Sequence, residues 1–285
     1  MGIKRLLTAA VLIPPVVLLI QYSTPFWFFI FITAAVCVGL YEFYRMFKNS
    51  GYYPQAFIGT LAGAIVVTGF YIGAVSEGEV ALVFSPDVMV AAAFVLALLF
   101  RLFSKRDANG ALVDVALTFT GVVYVAWLSA YLVLLRAWNS NGIDGRDLIF
   151  MLLLVTWATD TGAYYIGSAF GRHKLYPKIS PKKSVEGAVG GLVFSIAMAV
   201  ACKHLFYHGL DDHDAVAIGV ILGIVGQVGD LAESMIKRSA RVKDSGGIIP
   251  GHGGVLDRMD SLLLNAPALY YYTVVSVAAK LKGVM

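Results

Sequence analysis

Long stretches of this chain carry no charge at all. No Asp, Glu, Lys or Arg occurs from Leu6 to Tyr41, from Asn49 to Ser76, from Val115 to Leu135, or from Ser261 to Ala279. A hydrocarbon core about 30 Å thick is crossed by about 20 residues of helix, so each run is long enough to span and the first is long enough for two passes. Without water, a crossing backbone must satisfy its own N–H and C=O groups, which a helix does. Membrane-barrel strands would alternate apolar and polar residues, and these runs do not. Only 14% of the 285 residues are charged, against about 25% in soluble domains. The fold class that follows is an all-α, polytopic membrane protein, with no soluble domain and no internal repeat.

The predicted spans are 6–21, 25–46, 56–75, 86–103, 113–136, 148–170, 186–206, 214–235 and 261–280. Pro14-Pro15 predicts a kink or tilt in the first. Asp87 leaves the fourth only a 13-residue charge-free run after it. The N-terminus resembles a signal peptide but lacks a small-residue cleavage site before Pro25, so it reads as an uncleaved first helix. Cys37 and Cys202 lie in separate apolar runs and read as packing residues. We treat 1–285 as one membrane domain, with hydrophobic helices over 1–140 and the chemistry over 141–285. On this topology 17 of the 22 Lys and Arg fall on the N-terminal side. Positive charge marks the cytoplasm, so the N-terminus is expected inside and the C-terminus outside.

Three groups of polar residues stand out against this background. Asp160 has 12 uncharged residues before it and 11 after it. Burying an ionised Asp at that depth costs about 2.5–3.5 kcal/mol on insertion scales, so it is expected to face a polar cavity, with a hydrogen-bonded packing Asp as the plainer alternative. Glu42 and Arg45, at i,i+3 near the end of the second span, stand out less, because a local ion pair explains them equally well. The second group is the polar, glycine-rich stretch 237–260 with the helix that leads into it. Asp230, Glu233, Lys237 and Arg241 have the spacing of one helical stripe, followed by Arg238, Lys243-Asp244, and then His252, Gly253, Gly254, Asp257, Arg258 and Asp260. Glycines let backbone N–H groups approach a phosphate, and hard cations are held by one or two carboxylates together with substrate phosphates. Asp257 and Asp260 therefore suit a metal site, and they suit helix capping equally well. His252, with no Cys or second His near it, does not read as a metal ligand. The third group is the loop 171–186, whose five basic residues suit anionic lipid. Ser180, Lys182 and Lys183, leading into a helix N-terminus, also suit a phosphate clamp. Together these groups point to phosphoryl or nucleotidyl transfer on a lipid with a Mg²⁺-polyphosphate donor.

The stretch 234–260, SMIKRSARVKDSGGIIPGHGGVLDRMD, closely resembles the signature of phosphatidate cytidylyltransferases (CDP-diacylglycerol synthases). Every fixed position is matched, at Ser234, Lys237, Arg238, Lys243, Asp244, Gly246, His252, Gly253, Gly254, Asp257, Arg258 and Asp260. Asp160 to Tyr164 and Ser180 to Gly187 resemble two further runs of that family. The resemblance implies a Mg²⁺-dependent enzyme that makes CDP-diacylglycerol and pyrophosphate from CTP and phosphatidic acid. It implies a homodimer in a bacterial-type cytoplasmic membrane, its site facing the cytoplasm, with no nucleic acid partner. It places metal at Asp230, Asp257 and Asp260, leaving room for a second, monovalent or divalent, cation. Asp160, Lys237, Arg238, Lys243, Asp244, His252 and Arg258 are implied to act in catalysis, and Ser180, Lys182, Lys183, Gly253 and Gly254 to bind the nucleotide. Two other readings differ in a testable way. A CTP-dependent lipid-alcohol kinase would need a general base for a hydroxyl. A cation-coupled transporter would show repeated halves, whereas the polar motifs here lie in one half.

Overall fold

The computed structural model describes residues 3–76, 85–140, 142–208, 210–249 and 253–281. Nine helices run through them: α1 (Ile3–Tyr22), α2 (Pro25–Asn49), α3 (Ala56–Val75), α4 (Pro86–Leu102), α5 (Ala111–Ala137), α6 (Gly145–Phe170), α7 (Val185–Leu205), α8 (Asp212–Ser239) and α9 (Leu256–Leu281). Each matches one expected span, so the protein is an all-α polytopic membrane protein. Six of them, α2, α3 and α5 to α8, are long and apolar enough to cross a membrane. Helices α1 and α4 contribute shorter apolar stretches, Ile13–Tyr22 and Val88–Leu102. The last, α9, has 26 residues and a length of about 39 Å at 1.5 Å per residue.

Local chemistry sets the helix ends. Pro25 and Pro86 begin α2 and α4, where a missing N–H costs nothing because the first turn has no acceptor for it. Pro14 and Pro15 lie inside α1. Asp144 caps α6 by accepting from Arg146 N, and Ser184 caps α7 by accepting from Gly187 N at 3.1 Å. Within α5, Val122–Trp127 adopts a π-helical turn. Two short hairpins complete the elements: β1 (Asn139–Ser140) with β2 (Ile143–Asp144), and β3 (Lys174–Tyr176) with β4 (Ser180–Ser184).

The chain divides into two compact units, and the division does not follow chain order. One comprises residues 1–137 together with 237–259; the other comprises 138–236 together with 260–285. The boundaries fall at the end of α5, in the last turn of α8 and in the first turn of α9. In the first unit, Leu40, Phe43, Tyr44, Phe70 and Tyr131 are among the fully buried side chains. Tyr44 Oη donates to Thr118 O at 2.8 Å. Its ring occupies the space beside Gly59 and Gly121, where any Cβ would collide with it. In the second unit, glycines bring backbones together, as small residues do between membrane helices. A Cβ at Gly187 would lie 2.8 Å from Ala163 O, and one at Gly219 would lie 2.6 Å from Ile196 Cα. Asn265 Nδ2 donates to Thr156 Oγ1 at 3.0 Å in that interior.

Candidate active site

In the first unit the signature segment folds around Asp257. Helix α8 closes just before it: Arg241 N donates to Arg238 O and Val242 N to Lys237 O, both at 3.0 Å. This is the six-residue C-terminal closure that places one residue in the left-handed region. That residue is Arg241, at φ 55°. The expected stripe is corrected accordingly: Arg241 lies beyond the helix end, while Glu233 within α8 is wholly buried. The chain then returns through Ser245, whose backbone N and Oγ both donate to Asp257 Oδ2 at 2.9 Å. Gly254 N donates to the same oxygen at 2.8 Å, and Lys237 Nζ donates to Oδ1 at 2.7 Å. Burial opposes ionisation of Asp257, but the Lys237 ammonium and the two backbone N–H groups outweigh it and hold the carboxyl below its usual value. Gly253, at φ +85°, could not carry a side chain, because a Cβ would stand 2.6 Å from Asp257 Oδ2. That explains one glycine of the His-Gly-Gly run. His252 itself, with Pro250 and Gly251, lies outside the described residues.

Around this buried pair the remaining cations point outward. Arg238, Arg241, Lys243 and Arg258 are exposed, as is Asp244. Arg238 Nη1 donates to Val242 O at 2.9 Å. Exposed guanidinium and ammonium groups on a glycine-rich turn can receive phosphate oxygens.

Sequence reasoning missed one residue of this unit. Glu42 makes no ion pair with Arg45 among the described residues; Arg45 Nη1 donates to Tyr41 Oη at 3.3 Å instead. The Glu42 side chain turns inward, 2% exposed, and Oε2 accepts from Leu256 N at 2.9 Å. The i,i+3 spacing permits a local pair, and a backbone donor from a distant segment outcompetes it. A carboxylate set between two aromatic residues, Tyr41 and Phe43, was the available signal.

The second unit carries the other charged group. The β3–β4 hairpin presents Lys174, Lys178 and Lys182 outward, while Lys183 turns to Asp230 at 2.7 Å. Ser234 Oγ lies 3.5 Å from Asp230 Oδ1. Glu186, at the start of α7, accepts from Arg172 N at 3.0 Å and meets His173 Nδ1 at 2.6 Å, which ties the hairpin base. Ser180, the first residue of β4, is half-buried. Asp160 and Thr161 are exposed on α6, one turn before the exposed Tyr164 and Tyr165. Asp260 Oδ1 accepts from Ser261 N at 2.7 Å.

No three His, Cys, Asp or Glu among the described residues gather closely enough to hold a metal ion. The donor chemistry nonetheless separates the candidates. Asp230, half-exposed beside a single ammonium, suits a hard cation, and Asp160 and Asp260 supply further oxygens of the right kind. Asp257 fits less well, since a carboxylate has about four acceptor positions and chain donors take most of them. Its Oδ1, which meets Lys237, is the oxygen with room left.

A family model described as "Cytidylyltransferase family" matches residues 3–276. A Haemophilus influenzae protein named phosphatidate cytidylyltransferase is 31% identical over 282 residues, which is 94% of this chain and 97% of the relative. Proteins of the same name from Staphylococcus haemolyticus and Bacillus subtilis are 40% identical over 181 residues and 39% over 158. Those alignments cover 64% and 55% of this chain, and 66% and 58% of the relatives.

Proposed function

We propose that this chain, which belongs to the cytidylyltransferase family, transfers the cytidylyl group of CTP to phosphatidic acid, releasing pyrophosphate and leaving CDP-diacylglycerol in the membrane. The observation that carries the reading is the Asp257 clamp. The Lys237–Asp257 pair is buried and ties Ser245 and Gly254 to the start of α9, with Arg238, Lys243 and Arg258 left exposed nearby in the chain.

The chemistry asks little covalent work of the protein. The phosphate monoester of phosphatidic acid has a second pKa near ~6 and is largely dianionic at neutral pH, so its oxygen is already a nucleophile. That oxygen forms a bond to the α-phosphorus of CTP. The bond from that phosphorus to the bridging oxygen breaks, and the electron pair leaves with pyrophosphate. What remains for the chain is to position the reactants and neutralise charge. Arg238, Lys243 and Arg258 receive triphosphate oxygens; Lys182, on the basic hairpin, meets an anionic headgroup. Mg²⁺ would be held by Asp230 and Asp260, with Asp160 as a further oxygen donor, and when bound would supply charge neutralisation for the triphosphate. The family resemblance supports a homodimer and a cytoplasm-facing site, and the distribution of Lys and Arg supports the same orientation.

Radiolabelled CTP with phosphatidic acid in detergent micelles tests the reading. Lipid-extractable label matched by released pyrophosphate is expected, with chelation abolishing both. Label from the γ-phosphate in lipid, with CDP released, would identify a lipid kinase instead. Labelling of cysteines placed in 172–183 by an impermeant reagent applied to intact cells would refute the orientation.

A further inference from the structure

We infer that Glu42, on α2, is a positioning residue for cytidylyl transfer, holding the two ends of the signature loop at the spacing that the exposed cations require. The inference rests on the proposed reaction. Its geometry lies wholly within the first unit. Oε2 accepts from Leu256 N at 2.9 Å. Leu256 opens α9, and its N–H is one of the donors that a helix start leaves without an internal partner. A carboxylate there is also favoured by the helix dipole. The same oxygen lies 3.3 Å from Ser245 Oγ, the hydroxyl that approaches Asp257 at 2.9 Å. Glu42 and Asp257 thus flank one serine, with a single hydroxyl proton to share.

Shape reinforces the bonding. For a Cβ at Gly246 the three nearest atoms would all belong to Glu42, with Cδ at 2.8 Å and Cγ at 3.1 Å. One at Gly254 would stand 2.5 Å from Glu42 Oε2 and would also strike Ser245 Oγ. Two glycines of the loop are therefore moulded onto this carboxyl group. The helix delivering it is itself fixed, by fully buried Phe43 and Tyr44 and by Ser50 Oγ, which donates to Ala240 O at 2.6 Å. Helix α2 thus grips the segment 240–256 at both ends. Glu42 Oε1 has no hydrogen-bond partner among the described residues. Burying a carboxylate oxygen without a donor is costly. The cost buys a loop conformation, since the group holds the Leu256 N–H and the Ser245 hydroxyl and lies against Gly246 and Gly254.

Three variants test this: Glu42→Ala, Glu42→Gln and Gly246→Ala. Glu42→Ala is expected to lower kcat about 100-fold, the scale of a misplaced reacting group, while KM for CTP moves far less. Glu42→Gln keeps an oxygen for Leu256 N–H and should recover to within about tenfold of wild type. Gly246→Ala should be impaired when Glu42 is present, yet add little to Glu42→Ala, because the two act through one contact. Hydrogen exchange supplies a readout independent of turnover. Exchange over 245–256 should quicken in Glu42→Ala and in Gly246→Ala, and stay unchanged over α6 and α7. A wild-type kcat for Glu42→Ala, or losses at 42 and 246 that simply multiply, would overturn the inference. Gly246→Ala adds one methyl group, so it carries the same comparison if Glu42→Ala fails to insert; unchanged exchange over 245–256 in it would then refute the contact. Wild-type protein inactive with CTP and phosphatidic acid would sink the substrate reading and leave exchange to judge Glu42.

Discussion

Two ion pairs of this protein have the same length and opposite surroundings. Lys237 meets Asp257 and Lys183 meets Asp230, each at 2.7 Å. The first pair is 12% and 6% exposed and is enclosed by donors from Ser245 and Gly254. The second is 26% and 31% exposed, on a hairpin whose other lysines face outward. Coulomb attraction alone does not distinguish them; desolvation does. Removing one partner of a buried pair strands a charge and costs about 3–5 kcal/mol. An exposed pair is worth about 0–1 kcal/mol and can exchange its partner for an ion or a phosphate. One pair is therefore architecture, and the other is open to substrate or metal.

The largest effect that would test this contrast is at Asp257. Asp257→Asn keeps the shape but strands Lys237, so we expect a clear fall in melting temperature in detergent together with loss of CDP-diacylglycerol formation. A helix-capping Asp would tolerate Asn almost without cost. An unchanged melting temperature would place Asp257 with the exposed pair. Next is Asp230→Asn. Here stability should stay within about 1 kcal/mol of wild type, while activity drops about 100-fold, equivalent to ~2.7 kcal/mol of transition-state stabilisation. Added Mg²⁺ should restore part of it. Loss of stability with retained activity would reverse the roles of the two pairs.

A smaller effect is the acid response. Asp257 is depressed in the folded protein, so its contribution to stability is complete above the ordinary carboxylate range and is lost as pH falls through the folded value. The melting-temperature gap between wild type and Asp257→Asn should accordingly narrow on acidification, whereas the gap for Asp230→Asn should stay small throughout. A gap at Asp257 independent of pH would show that shape, not charge, holds the loop. The smallest effect is at Lys182. As an exposed lysine near anionic lipid it is worth about 1 kcal/mol, so Lys182→Ala should raise KM for phosphatidic acid a few-fold at low salt and much less at high salt.

The nine helices were legible because crossing a hydrocarbon layer imposes a length and an absence of charge, and both are written in linear order. The signature was legible for a similar reason: its lysines, glycines and carboxylates follow one another within 234–260. Spacing alone also suggested features that folding did not honour. The stripe ending at Arg241 assumed that α8 continued, while the helix ended two residues earlier, at Ser239, and the chain turned at that arginine. Asp257 was balanced between cap and metal ligand; its partner Lys237 stands 20 residues away, on the preceding helix. Glu42 lies 214 residues from the backbone N–H that it accepts. Hydropathy and local chemistry act between near neighbours, so the sequence by itself determined the helices, the membrane and the kind of reaction. Which charges are buried together depends on segments meeting across the chain, and only the tertiary structure decided that.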